Sequence, residues 1–286
     1  MFDQRLGVKT RAKLFLGGLI HPRSSARWLN FVQHSDILRE AIHALPVAAS
    51  KIYRPYLTRR LSCAARVDVL INHYAFLSRM GLSDLVRQAA LNDVALATLS
   101  CKSGALAQVD LSAVHDGHRE GELCLKLHYQ GVQIYAASLV FMRVNGQPQL
   151  MVGRLQGNAC PAARDLVREA TRDLFGARPG ALLIALARHL AHRLGCARVV
   201  LVSNQNRIAI NLWRRWRISA DYDRLWTELG ALPRADGNFE IAPLPSPQVD
   251  IDALPSKKRS EARRKLALLE QLFDAAGGRF TAQTAA

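Results

Sequence analysis

Apolar residues recur at helical spacing over residues 23–45 and 51–77, with few β-branched runs, and predict a helical region across residues 1–90. Pro55 biases Arg54 away from helical backbone, so Tyr53-Arg54-Pro55-Tyr56-Leu57 predicts a local break between the two. Near Asp93 the period shortens from that of a helix to that of a strand. Residues 94–99, 106–114, 122–129 and 132–144 read as strands, the third with clean alternation. Asn145-Gly146 is a strong hairpin signal and leads into residues 149–157, which completes an antiparallel meander of four or five strands over residues 93–157. Two helices follow, over residues 161–175 and 181–194, separated by Gly176-Ala177-Arg178-Pro179-Gly180. Leu183, Leu186, Leu190 and Leu194 stripe the second helix, and Gly195 suits its C-cap. Val199-Val200-Leu201-Val202 is apolar at every position, which predicts a central strand buried on both faces. The pattern then predicts a helix over residues 207–217, a short helix over 221–229 and a short strand over 238–241. Pro243, Pro245 and Pro247 form a linker to a last helix over residues 256–273. That helix is basic in its first half and apolar in its second, and residues 277–286 are expected to fray.

Composition narrows the class. The 286 residues suffice for one large domain with extensions, and 49% of them are apolar, enough to bury a sizeable core. The expected division is a helical region over 1–90, an α+β core over 91–245, and a linker with a basic amphipathic helix over 246–286. No apolar run reaches the roughly 18–20 residues that span a bilayer. Arg5, Lys9, Arg11 and Lys13 before Leu14–Ile20 imitate a signal peptide, but the apolar stretch is short and His21-Pro22-Arg23 is not a small-residue cleavage site. An amphipathic first helix is the expectation. Five widely spaced cysteines with no CxxC argue for reduced thiols and a cytoplasmic setting. The net charge of +16 favours polyanions: anionic lipid headgroups, cofactor phosphates or nucleic acid. No helix-turn-helix, zinc-finger or RNP signature points to the last of these. His115 and His118 flank Asp116 without further ligand-type residues, and no metal site is expected.

Candidate chemistry gathers where strands end. Residues 197–226 read as a buried strand, a Ser203-Asn204-Gln205-Asn206 turn and an amphipathic helix, an arrangement on which α/β folds place ligands. Arg154, Gln156 and Gly157 end the meander and either line a cleft or cap a strand. Arg178 either grips a phosphate, with Gly180 at a helix start, or pairs with an acid such as Asp173. Asn204 and Asn206 present amides to a ligand or cap turns. Trp213 and Trp216 form core or a stacking platform, and Arg214-Arg215 a solvated face or an anion clamp. Tyr222-Asp223 is a backbone anchor with an N-cap or an acid/base pair, and His73 a core histidine or a base.

The chain resembles the VirK/YbjX family of Gram-negative bacterial proteins. The resemblance rests on Tyr53-Arg54-Pro55-Tyr56-Leu57, His73-Tyr74, Gly153-Arg154-Leu155-Gln156-Gly157, Gly176-Ala177-Arg178-Pro179 and Val202-Ser203-Asn204. It continues through Arg214-Arg215, Tyr222-Asp223 with Trp226, and Lys257-Lys258-Arg259-Ser260 with Arg263-Arg264. It implies a cytoplasmic or inner-membrane-peripheral factor tied to virulence and the cell envelope. The order meander, helix, buried strand, helix is similar to the core of GNAT-type acyltransferases. Asn206, Ala209 and Trp213 match the spacing of that group's Asn-x-x-Ala-x-x-x-Tyr helix, with Trp213 standing where its tyrosine acid falls. This second resemblance implies an acyl-thioester donor such as CoA, held at Arg154, Gln156, Gly157, Arg178, Gly180, Ser203, Asn204 and Asn206, with Tyr222, Asp223 and His73 as catalytic candidates. The alternative implied by the first is a non-catalytic basic factor on an anionic membrane or an envelope protein.

Overall fold

The computed structural model describes residues 8–44, 46–113, 119–158, 160–208, 221–249, 251 and 254–281. The helix expected over 207–217, with Trp213, Trp216 and Arg214-Arg215, lies outside the described residues beyond Ile208, as does the group His115, Asp116 and His118.

The helical region contains α1 (Val8–Ile20), α2 (Pro22–His34), α3 (Asp36–Ala44), a 3-10 turn (Pro46–Tyr53), α4 (Cys63–Arg79) and α5 (Ser83–Leu91). The single helix expected over 23–45 is two helices. Ser35 leaves helical backbone (φ −86°, ψ 121°), and its Oγ accepts from the Leu38 N–H, restarting the chain as α3. The helix expected from residue 51 begins only at Cys63, because Pro55 breaks the chain and Ser62 caps α4 by accepting from the Ala65 N–H.

The meander is β1 (Val94–Ser100), β2 (Leu106–Ala113), β3 (Leu123–Tyr129), β4 (Val132–Val144) and β5 (Gln147–Gly157). Asn145 and Gly146 both take positive φ, as a type I′ hairpin requires. Then come α6 (Pro161–Asp173), α7 (Pro179–Arg193), β6 (Arg198–Leu201), α8 (Tyr222–Glu228), β7 (Leu232–Pro233), β8 (Phe239–Ile241) and α9 (Ser256–Arg279). Among the described residues the eight strands form one sheet in the order β1-β2-β3-β4-β5-β6-β8-β7. All neighbours are antiparallel except β5 and β6. The fold is α+β, with the meander, helix and buried strand in the order that the GNAT-type resemblance implied, and β6 is central and buried as its composition required.

One hydrophobic core runs from Trp28 on α2 to Phe280 after α9. α9 extends past residue 273 through Gly277 and Gly278, where fraying was expected. A Cβ on Gly277 would sit 3.0 Å from His189 Nε2 of α7, so this glycine lets the two helices approach and packing holds the last turn. Phe273 stacks on His189 at 4.3 Å between ring centroids, and Leu268, Leu269, Leu272 and Ala276 are buried with it.

Candidate functional site

β5 and β6 pair only from Gln149↔Arg198 to Val152↔Leu201, and the last bond joins the Val202 N–H to the Val152 carbonyl at 3.0 Å. β5 continues to Gly157 without β6 beside it, so the strands part. Tyr222, at the start of α8, fills the parting. Its hydroxyl donates to the Leu155 carbonyl (2.5 Å) and accepts from the Leu155 N–H (2.8 Å), standing in for the missing strand. The ring is buried, packs on Trp226 and lies under the Arg207 guanidinium at 3.7 Å. Trp226 Nε1 donates to the Val202 carbonyl, which ties α8 to the end of β6.

The turn after β6 is a closed polar knot. Asn204 donates its amide to Asp221 (2.8 Å) and accepts from the Tyr222 N–H, while its own N–H donates to Asp223 (2.8 Å). Asn206 donates to the Asp236 carbonyl and to Asn238 Oδ1, and the Ser203 Oγ accepts from the Asn206 N–H. The Asp221 carboxyl is held below the usual range, chiefly by the Arg224 N–H that it caps and by Asn204. Ser203, Asn204, Asn206 and Asp223 are therefore engaged with the protein's own groups. Arg154 donates to Gln156 (2.8 Å) and lies 3.5 Å from Glu120. Burial raises the Glu120 carboxyl, against the pull of Arg154 and Arg207. The loop carrying Glu120 passes so close to β5 that any Cβ on Gly153 would fall on the Glu120 carbonyl oxygen.

Gly157 and Gly180 belong to a different place. Leu155 and Gly157 point away from Arg154 and Gln156, as alternation in a strand demands. A Cβ on Gly157 or on Gly180 would meet the Tyr135 ring at 3.1 Å in either case, so the two glycines clasp Tyr135 between the end of β5 and the start of α7. Pro179 occupies N1 of α7, and Arg178, the N-cap residue, makes no capping bond with its side chain. The N–H groups of Gly180 and Ala181 have no acceptor within the helix, and the positive end of its dipole lies there. A cleft of about 460 Å³ opens at this point, lined by Tyr135, Val167, Arg168, Thr171, Arg172 and Arg178. Arg178 pairs with Glu228 (3.3 Å) on the exposed surface rather than with Asp173, whose carboxylate accepts from Ser103 and Tyr129.

His73 falls in a third group. It is fully buried, and its Nδ1 accepts the Phe141 N–H (3.0 Å), which projects past the end of β3. Burial lowers its pKa to about 4, with Glu122 pulling the other way. Beside it Lys51 bonds both oxygens of Glu122 (3.0 and 3.1 Å), Tyr74 donates to Glu122, and burial together with Glu122 raises the Tyr56 hydroxyl well above its ordinary value. Of the expected residues, then, Arg178, Gly157 and Gly180 meet at α7. Arg154, Gln156, Ser203, Asn204, Asn206, Tyr222 and Asp223 gather around the parting strands, and His73 joins neither set. Sequence reasoning passed over Arg168 and Arg172, although their i, i+4 spacing on α6 was a signal, and over Tyr135 and the Lys51–Glu122 pair, which carry none.

Residues 4–276 match the family described as "Protein of unknown function (DUF535)". The chain belongs to the DUF535 family. Its relatives include the uncharacterized protein YbjX of Escherichia coli (strain K12), 27% identical over 92% of this chain and 81% of that protein. An uncharacterized protein of Haemophilus influenzae is 28% identical over 58% of this chain and 55% of its own length. Two sets of the residues singled out in the sequence converge in space: Tyr56, His73 and Tyr74 around Glu122, and Tyr222 with Trp226 against Leu155 and Val202. Among solved structures this DUF535 chain is similar to a cAMP-binding acyltransferase from Mycobacterium smegmatis. The TM-score is 0.30 at 12% identity, covering 75% of this chain and 62% of that one. A point mutant of that enzyme matches with the same TM-score of 0.30 at 14% identity, over 66% of this chain and 60% of its own. This chain thus spans less than two thirds of either enzyme structure. Among the described residues no group of three or more His, Cys, Asp or Glu side chains could hold a metal ion, and no helix is long and apolar enough to cross a membrane.

Proposed function

We propose that the protein binds a phosphate-bearing acyl-thioester donor, of which CoA thioesters are the type, with its phosphates at the N-terminus of α7. One observation carries this reading: three arginines, Arg168, Arg172 and Arg178, line a single cleft at a helix start whose floor is the Tyr135 ring clasped by Gly157 and Gly180. A phosphate there would take the free N–H groups of Gly180 and Ala181, the dipole and three guanidinium forks, displacing Glu228 from Arg178. A Cβ at Gly180 would crowd the Tyr135 ring, so glycine at this position lets the start of α7 sit against the ring.

A bound thioester would pass its acyl group to an amine or hydroxyl of an envelope component: the new amide or ester C–N or C–O bond forms as the thioester C–S bond breaks, and the donor leaves as the free thiol, carrying the proton lost by the nucleophile. Around the parting strands Gln156 is exposed and holds the half-buried Arg154, and Tyr222 holds the Leu155 backbone against which the donor would lie. Asn204 holds Tyr222 by accepting its N–H, and Asp223 in turn accepts from the Asn204 N–H. His73, buried and neutral, supports β4 through Phe141.

The test is calorimetric titration and thermal shift with CoA, acetyl-CoA and a long-chain acyl-CoA. Binding is expected, and R172E/R178E should weaken it at least about tenfold, since each charge-assisted hydrogen bond contributes roughly 1.5–3 kcal/mol. Should the chain bind none of these donors, or bind them equally well after the double substitution, the reading fails.

A further inference from the structure

α1 presents to solvent a face that a globular protein ordinarily hides. Phe15, Leu16, Leu19 and Ile20 are 69, 56, 64 and 69% exposed. At i, i+1, i+4 and i+5 they occupy one contiguous sector of the helix. Among the described residues no other element exposes more than two large apolar side chains. The opposite side of α1 is seated: Gly17 is buried against the Tyr53 ring, which a Cβ would overlap at 2.5 Å, and Leu14 packs on the core. Tyr53 is itself fixed by a hydrogen bond from its hydroxyl to Ser25 Oγ (2.7 Å). α1 is thus attached by its back and bare along its front.

The charges around that front decide what fits it. Helical geometry places Arg11 at one border of the apolar sector and Lys13 at the other, and Arg23 lies exposed just beyond the helix end. The chain as a whole carries +16. An apolar strip bordered by cations matches the layer of a bilayer where acyl chains meet anionic headgroups. With 13 residues α1 spans about 20 Å, too short to cross and long enough to lie flat. The C-terminal helix, basic in its first half, has already committed its apolar face: Leu268, Leu269, Leu272 and Phe273 are buried against the protein. Its basic first half contributes charge only.

We infer that α1 is an interfacial helix that docks the protein on an anionic membrane through Phe15, Leu16, Leu19 and Ile20. The inference stands apart from the donor reading, because it needs no ligand in the α7 cleft and its readout contains none. The test uses the full chain and sedimentation with vesicles of phosphatidylcholine alone or mixed with phosphatidylglycerol. The chain should bind the mixed vesicles and leave the neutral ones largely free, and salt should weaken the attachment. F15S/L19S should reduce binding roughly tenfold or more, as should K13E/R23E, each with an unchanged melting temperature because the altered side chains are exposed. R263E/R264E on α9 should keep most of it. In a Phe15→Trp variant the added indole should shift its emission to the blue on mixed vesicles and be quenched by lipid-borne quenchers. The inference is overturned if the chain ignores the mixed vesicles, if F15S/L19S binds them as well as the parent, or if Phe15→Trp emission stays that of a solvated indole. A parent oligomer that F15S/L19S turns into monomer, with vesicle binding intact, would overturn it in favour of a second copy of the chain.

Discussion

His73 shows how far a residue can be read before its surroundings are known. Its neighbours in sequence suggested a histidine on a buried helix face, and both a core and a basic role stayed open. The environment supplied the rest. Nδ1 accepts a backbone N–H from a strand position that β3 no longer reaches, and full burial penalises the imidazolium. The linkage has a definite sign. The unfolded chain titrates this ring near 6.5 and the folded chain near 4. Lowering the pH through that window therefore protonates the unfolded state first and costs stability, roughly 3 kcal/mol in all. Urea melts at neutral pH and near pH 4.5 should show a smaller pH-dependent loss for His73→Asn, whose side-chain oxygen can still accept from Phe141, than for the parent. Equal slopes would refute the assignment. The polar residues after β6 give the complementary lesson: asparagines and aspartates in a turn announce capping, but which amide meets which carboxylate is a matter of three-dimensional proximity.

Elements were legible where local pattern and punctuation agreed. Asn145-Gly146 between alternating strands became the expected hairpin, and the uninterrupted apolar run of β6 became a central strand. The misreadings came where local punctuation was missed or where distant packing overrode it. Ser35 divides α2 from α3 by one side-chain hydrogen bond, a weak mark within a continuous apolar period. α9 keeps helical form through Gly277-Gly278 because α7 lies against it, although two glycines disfavour helix by about 1 kcal/mol each. Lys51 and Glu122, 71 positions apart, join the 3-10 turn to the start of β3, with side chains 8 and 1% exposed. Lys51→Met should destabilise the protein by about 3–5 kcal/mol in denaturant unfolding at neutral pH, because the Glu122 charge would remain buried without its cation. Lys51→Met with Glu122→Gln should recover most of that loss. A single-variant loss below about 1 kcal/mol would mean that water reaches the pair.

At the scale of the whole chain, the core passes through every boundary that composition suggested. Trp28, Ile52, Tyr74 and Phe273 belong to the same buried cluster as Leu125, Phe141 and Val200. A fragment comprising residues 91–245 would expose the strand surfaces that α4, α5 and α9 cover, and it should be largely insoluble or lack a cooperative melt. A soluble fragment with near-native stability would show that the α+β core is self-sufficient. Period, turn chemistry and glycine placement were enough to state that this is an α+β protein built on a meander with one buried strand beyond it. These are local properties, set by side-chain spacing and backbone sterics within a few residues. They were not enough to state which charged groups meet. That Arg168, Arg172 and Arg178 share a cleft, that Tyr222 closes the parting of β5 and β6, and that α1 rather than α9 carries the bare apolar face all depend on contacts between segments far apart in the chain. Such contacts follow from how the faces of all elements are buried together, and no local window of residues contains that information.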